Sequence, residues 1–271
     1  MIAPSPRTAV DPRLLDAVTA VAEDIARILR SGLDPEARIP DAAWSVGESA
    51  AHLATANELM ADIAQGRERP YGDGTPGSLA EANEETLAAY GERDPSRLAE
   101  AIVRQARAFA EASADRSADE PTRTPFGPMD LGTLAAYLLT HMLGHGYDLA
   151  RAAGRPHMID GERVELTLPF LTTAMPRTLN ARAAADRHRA CYLLGLRGGS
   201  RLVVTFADGG ITVGTELPRR PDCTIVSDPA TFFLMALGRC GPWSALFRGK
   251  VLIWGRRPWL APRFTGYFTA P

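Results

Sequence analysis

Lysine is almost missing from this chain: Lys250 is the only one, and arginine supplies nearly all of the positive charge. With the abundant alanine, that bias suggests a GC-rich genome. An excess of either sign is missing too. Thirty basic side chains stand against 32 acidic ones, for a net charge of −2. That balance gives no electrostatic footprint for nucleic acid or an anionic membrane, so neither is expected as a partner. No stretch approaches about 18 uninterrupted apolar residues, and the opening MIAPSPRTAVDP lacks the apolar core of a signal peptide. Three cysteines, Cys191, Cys223 and Cys240, form an odd set without CxxC spacing. They argue against a disulfide framework and for a reduced, cytoplasmic protein. GxGxxG after a strand, a Walker A loop and a GxSxG elbow are all absent, which removes the common nucleotide and serine-hydrolase signatures.

What is present is a globular composition, 45% apolar over 271 residues, enough for one large domain or two ordinary ones. The first half has helical punctuation. Asp11-Pro12 offers a cap and a proline at the first helical position, followed by Leu14, Val18, Val21, Ile25 and Ile28 on one face until Gly32. Ser45 with Glu48 forms a capping box, with Gly66 as the stop, and Ser78 with Glu81 repeats the box. Asp94-Pro95 opens another helix carrying Leu98, Ile102 and Phe109. Asp130 caps a last one that ends near Gly154. Four long amphipathic helices and a short one define a helical bundle.

From Glu162 to Leu179 the pattern predicts a helix interrupted by Pro169 and closed before Pro176. The period then changes. ACYLLGL, RLVVTFA, GITVGTE and CTIVS are short β-rich runs divided by GG, DGG and PRRP turns, and Asp208-Gly209-Gly210 marks a hairpin. Pro229–Leu237 reads as a helix, KVLIW as a strand, and the last residues as a helix. The fold class expected is therefore a helical bundle, residues 1–155, then a connecting segment, 156–187, then an α+β domain, 188–271, on a small, mostly antiparallel sheet.

The chemistry concentrates in LLTHMLGHGYDLARAAG. His141 and His145 are one helical turn apart on a stripe continued by Leu134, Leu138 and Leu149, so both rings face a helical interior. Two imidazoles at i and i+4 can bind one metal from the same side. A catalytic zinc site needs about three protein ligands, and His52, on the helix opened by Ser45, is the best third. His157, beside Pro156 in a loop, and His188, in a solvated RHR run, are weaker. A hydrogen-bonded core histidine is the competing reading for each ring alone, but burying two side by side demands a reason. Asp148 projects the same way as His145. It is a partner for a metal-bound histidine, a general base, or an ion-pair partner for a nearby arginine, and spacing alone favours the last.

WSVGESAAHL, Trp44 to Leu53, and HMLGHGYDLARAAG, His141 to Gly154, resemble the DinB-like, mycothiol-dependent enzymes that include maleylpyruvate isomerase. PDCTIVSDPATFFLMALGR and FRGKVLIWG resemble the sterol-carrier-like domain often fused to such bundles. The resemblance implies a divalent metal, with zinc preferred, held by His52, His141 and His145, with Asp148 near it. It also implies that Arg239, in LGRC, is an active-site arginine from the C-terminal domain, and that mycothiol or a related thiol is the cosubstrate. Two departures separate this chain from the isomerase pattern. His141 stands where the isomerase usually has glutamate, a triple-histidine set being more typical of the thiol S-transferases, and Trp254-Gly255-Arg256 replaces strand-Gly-Asp.

The function expected is transfer of an activated thiol to an electrophilic small molecule. The same activated nucleophile would serve a cis-trans isomerase of the maleylpyruvate type. Two other classes stand beside these. One is a binding protein whose C-terminal domain carries a lipid or other apolar ligand against Phe232, Phe233, Leu234 and Met235. The other is metal-dependent hydrolysis by bound water.

Overall fold

Three aspartates and one serine set where the long helices of the first half begin. In this computed structural model, which describes residues 8–67, 69–181, 188–216 and 220–269, α1 spans Pro12–Leu29, with Asp11 accepting from the Arg13 N–H and Pro12 in the first turn. In α2, Val46–Ala64, the capping box is complete: the Glu48 N–H donates to Ser45 Oγ at 3.2 Å, and the Ser45 N–H donates to Glu48 Oε2 at 2.8 Å. The short α3 spans Leu79–Ala89, and α4, Pro95–Ser113, is capped by Asp94. A two-stranded antiparallel hairpin follows, β1 Pro121–Thr124 and β2 Gly127–Asp130, and runs directly into α5, Leu131–Ala152. There Asp130 Oδ1 accepts from the Thr133 N–H at 2.6 Å.

The chain divides into two compact units, Met1–Ile159 and Asp160–Pro271. In the first, α1 and α2 each pack against α4 and α5. The α1 face formed by Leu14, Val18, Val21, Ile25 and Ile28 is buried, as are Leu98, Ile102 and Phe109 of α4. Between Val46 and Ala61 nearly every α2 residue is buried, so this helix has no solvent face for most of its length. Anything polar on it needs an internal partner.

The second unit begins with α6, Gly161–Arg177, capped by Asp160. Its sheet has the order β5-β4-β3-β6-β7, with β3 Ala190–Leu196, β4 Arg201–Ala207, β5 Gly210–Gly214, β6 Cys223–Ser227 and β7 Val251–Trp254. Every pairing is antiparallel except β3 with β6. Asp208 and Gly209 both take positive φ, 52° and 81°, which gives the β4–β5 hairpin the twist its strands need. Between β6 and β7 lie α7, Pro229–Ala236, and α8, Pro242–Phe247. The rings of Tyr192 and Phe206 pack on Phe264 and Tyr267, at 4.9 and 5.1 Å between the pairs Tyr192–Phe264 and Phe206–Tyr267. The three cysteines are free thiols. Among the described residues no helix is long and apolar enough to cross a membrane.

Some expectations are corrected. Ser78 does not cap α3: it lies in a 3-10 turn with helical backbone, and its Oγ accepts from the Asp73 N–H and donates to the Thr75 carbonyl. The preceding turn claims the hydroxyl first. Pro169 does not interrupt α6, nor does the helix close before Pro176; both lie inside it. Burial of Val164, Leu168, Phe170 and Leu171 offsets the hydrogen bonds those prolines forgo, and the Thr172 and Thr173 hydroxyls donate to the Pro169 carbonyl. Instead of a final helix there are two short 3-10 turns, Pro258–Arg263 and Thr265–Tyr267. The helix expected within the 156–187 stretch is α6, which packs on α7 and β5. Pro218 and Arg219 of the PRRP signal lie outside the described residues.

Candidate metal centre

His52 lies seven residues beyond the Ser45 cap, on the fully enclosed stretch of α2. His141 and His145 face it from α5. Packing of α2 on α5 closes the three rings into a nearly equilateral triangle, with centroid separations of 4.9 Å for His52–His141, 4.9 Å for His52–His145 and 4.7 Å for His141–His145. One ligating nitrogen from each falls within 4.8 Å of the other two. His52 Nε2 lies 2.9 Å from His141 Nε2.

Electrostatics favour ligation over charge. Burial pushes the His52 imidazole down to about 4, so it is neutral at physiological pH and carries a lone pair. A tetrahedral ion bound through imidazole nitrogens holds them about 3.3 Å apart, and this cluster brackets that spacing. Three imidazole nitrogen donors on two helices, with no carboxylate among them, fit a borderline-soft divalent cation, zinc first.

Trp44, half-buried just before the α2 cap, closes one side. Its ring centroid is 4.7 Å from His52 and 5.9 Å from His145, nearly parallel to the latter at 23°. Tyr137, one turn before His141, stands edge-on to that ring at 6.5 Å. Burial raises the Tyr137 phenol far above its ordinary range, so it stays protonated. The sequence reading missed both as parts of the site. Tyr137 was legible, because Tyr137, His141 and His145 continue one i, i+4, i+8 stripe; Trp44 reaches the rings only through the path of the loop before α2.

Asp148 is buried on α5, with Oδ2 3.8 Å from His145 Nδ1. That is ion-pair range and longer than a hydrogen bond. Arg151, one turn on, bonds Asp41 at 2.9 Å. His157 accepts from the Ile159 N–H at 3.3 Å, and His188 pairs with the Tyr192 hydroxyl at 3.1 Å and stacks on Tyr267. Neither belongs to the histidine cluster. Arg239 lies in the second unit just beyond α7, half-buried, and donates to the Leu237 carbonyl at 3.3 Å.

A bundle with a three-histidine centre, joined to an α+β unit, defines a two-part architecture, and sequence comparison gives both parts a family. The model of the mycothiol maleylpyruvate isomerase N-terminal domain matches residues 14–150, which include all three histidines and Asp148. The chain belongs to that family. The SCP-2 sterol transfer family matches residues 171–256, which include Arg239. Among solved structures, a histidine variant of the mycothiol-dependent maleylpyruvate isomerase superposes with a TM-score of 0.55 at 13% identity, covering 89% of this chain and 91% of that one. Another structure of the same isomerase gives 0.47 at 13%, over 84% and 89%. The ubiquinone synthesis protein UbiJ-SCP2 gives 0.30 at 13%, over 36% of this chain and 88% of that one. At 13% identity the first of these likenesses is one of fold. No curated protein sequence matches.

Proposed function

We propose that this chain is a metal-dependent enzyme that activates a low-molecular-weight thiol, mycothiol, and transfers it to an electrophilic small molecule. The observation that carries this reading is the triangle of three imidazoles, His52, His141 and His145, closed by the packing of α2 on α5. A divalent ion held there would supply a positive charge that favours the thiolate over the thiol. His52 contributes by staying neutral, so no proton competes for its lone pair. Asp148 orients the His145 ring through Nδ1 and takes up the proton that the thiol releases. Trp44 shields two of the rings from bulk water. Arg239 is the residue proposed to hold an anionic group of thiol or substrate by its planar fork.

In transfer, the thiolate sulfur forms a bond to the electrophilic carbon, and the leaving group departs with its electron pair. A second reading, cis-trans isomerisation, is favoured by the family match over residues 14–150. There the sulfur adds to a conjugated cis double bond, whose π pair moves onto the conjugating group. Rotation follows about the resulting single bond, and the returning pair expels the thiolate. Purified protein incubated with mass-labelled mycothiol and a panel of electrophiles separates the two. Label retained in the product supports transfer; isomerised product without label supports isomerisation; turnover without any thiol sinks both.

A further inference from the structure

The near-zero net charge is an average over an uneven chain. From Pro229 to Pro271 there is no aspartate or glutamate, while Arg239, Arg248, Lys250, Arg256, Arg257 and Arg263 all fall there. Among the described residues, the large apolar side chains most exposed fall in the same stretch: Phe247 at 84%, Trp259 at 62%, Trp243 at 57%, Leu252 at 52% and Trp254 at 51%. They are neighbours in the fold as well. Helix α8 packs on β7, and β7 packs on the 3-10 turn that carries Trp259. The Lys250 N–H bonds the Ala245 carbonyl at 3.0 Å, which folds α8 straight back onto β7. The Trp243 and Phe247 rings lie 6.5 Å apart on α8. Strand β7 is an outer strand of the sheet, and Leu252 and Trp254, two residues apart, share one of its faces.

Exposed cations alternate with these rings. Arg248, Lys250, Arg256 and Arg263 are all solvent-accessible. Lys250 pairs with Asp228 at 3.3 Å and Arg256 with Asp222 at 2.7 Å, whereas among the described residues Arg248 and Arg263 make no ion pair. So large an exposed apolar group, rimmed by charge that is positive on balance, marks an interaction surface. A second copy docking by this face would bring its unpaired arginines against their own kind. Single-stranded nucleic acid uses flat rings in a groove, but here an aliphatic Leu252 and an almost fully exposed Phe247 offer apolar depth instead. Tryptophan and phenylalanine that enter the headgroup layer, beside arginines that meet phosphates, match a lipid surface.

We infer that the surface formed by α8, β7 and the turn after it docks peripherally on a bilayer rich in anionic phospholipid. The test is co-sedimentation of the full chain with vesicles of phosphatidylcholine alone, and with vesicles in which phosphatidylglycerol replaces a third of it. The protein should pellet with the anionic vesicles only, its tryptophan emission should shift to the blue, and about 0.5 M salt should release it. Arg248→Glu with Arg263→Glu, and separately Trp243→Ala with Phe247→Ala, should each weaken partitioning by at least about tenfold while leaving the circular dichroism unchanged. The inference is overturned if wild type stays in the supernatant, if both vesicle types bind alike, or if both double variants bind as wild type does. It is equally overturned if single-stranded RNA competes the protein off the vesicles through the same residues, or if Phe247→Ala converts a dimer to a monomer.

Discussion

His52 shows how burial alone prepares a ligand. Its imidazole is lowered from 6.5 to about 4 in the folded chain, and unfolding restores the ordinary value. Between those limits the unfolded metal-free chain binds a proton that the folded chain refuses. Stability is therefore full above about 6.5 and falls as pH drops through about 4, by roughly 3 kcal/mol at full extent. Urea melts of metal-free protein across that range should show the slope, and His52→Phe should flatten it; an unchanged slope in the variant assigns the effect elsewhere. For ligation itself, elemental analysis should find about one metal per chain in wild type and little in His145→Ala, with folding retained in both. Asp148 is proposed to act both on the His145 ring and on the proton of the thiol. Asp148→Asn should cut metal affinity or turnover by about 10–100-fold, read as metal per chain and steady-state rate with the fold retained.

At the scale of elements, two serines with the same sequence motif behave differently. Ser45 makes both bonds of its capping box, so Ser45→Ala should destabilise the protein by about 1 kcal/mol in thermal or urea melts. Ser78 makes neither cap bond to α3, and its replacement should be felt only in the turn from Asp73 to Ser78. Gly146, next to His145, lets α1 approach α5. A Cβ there would lie 3.1 Å from Ile25 Cγ1 and 2.9 Å from Met158 Sδ. Gly146→Ala should cost about 1–2 kcal/mol in urea melts and, by displacing α5, lower the metal found per chain by elemental analysis. The helix starts at Asp11, Ser45, Asp94 and Asp130 were all legible, because a cap is written within four residues. The β1–β2 hairpin was not. Strands of four residues are too short for a period to emerge, and theirs is held by the Thr122 hydroxyl on the Met129 carbonyl and by burial of Phe126.

At the scale of the whole molecule, the two compact units predict two responses to one ligand. Calorimetry with added zinc should raise the melting of the histidine-bearing unit, by a stabilisation of about 3–4 kcal/mol at 100–1,000 times the dissociation constant. The second unit should melt unchanged, and His145→Ala should abolish the shift. A zinc-independent first transition would make the histidine triangle structural.

The spacing of His141 and His145 was determined by the sequence alone, because a helix of 3.6 residues per turn puts i and i+4 on one face whatever surrounds it. The β-runs and the Asp208-Gly209 turn were equally local. What only the tertiary structure decided is non-local. The sequence separation of 89 from His52 to His141 closed to 2.9 Å because α2 packs on α5. Trp44 came to lie against two imidazoles, β3 paired in parallel with β6, and Pro169 was held inside a helix. Periodicity and caps are set by neighbours along the chain, whereas distances between elements are set by how a whole core packs, and it is those distances that turn three separate histidines into one candidate site.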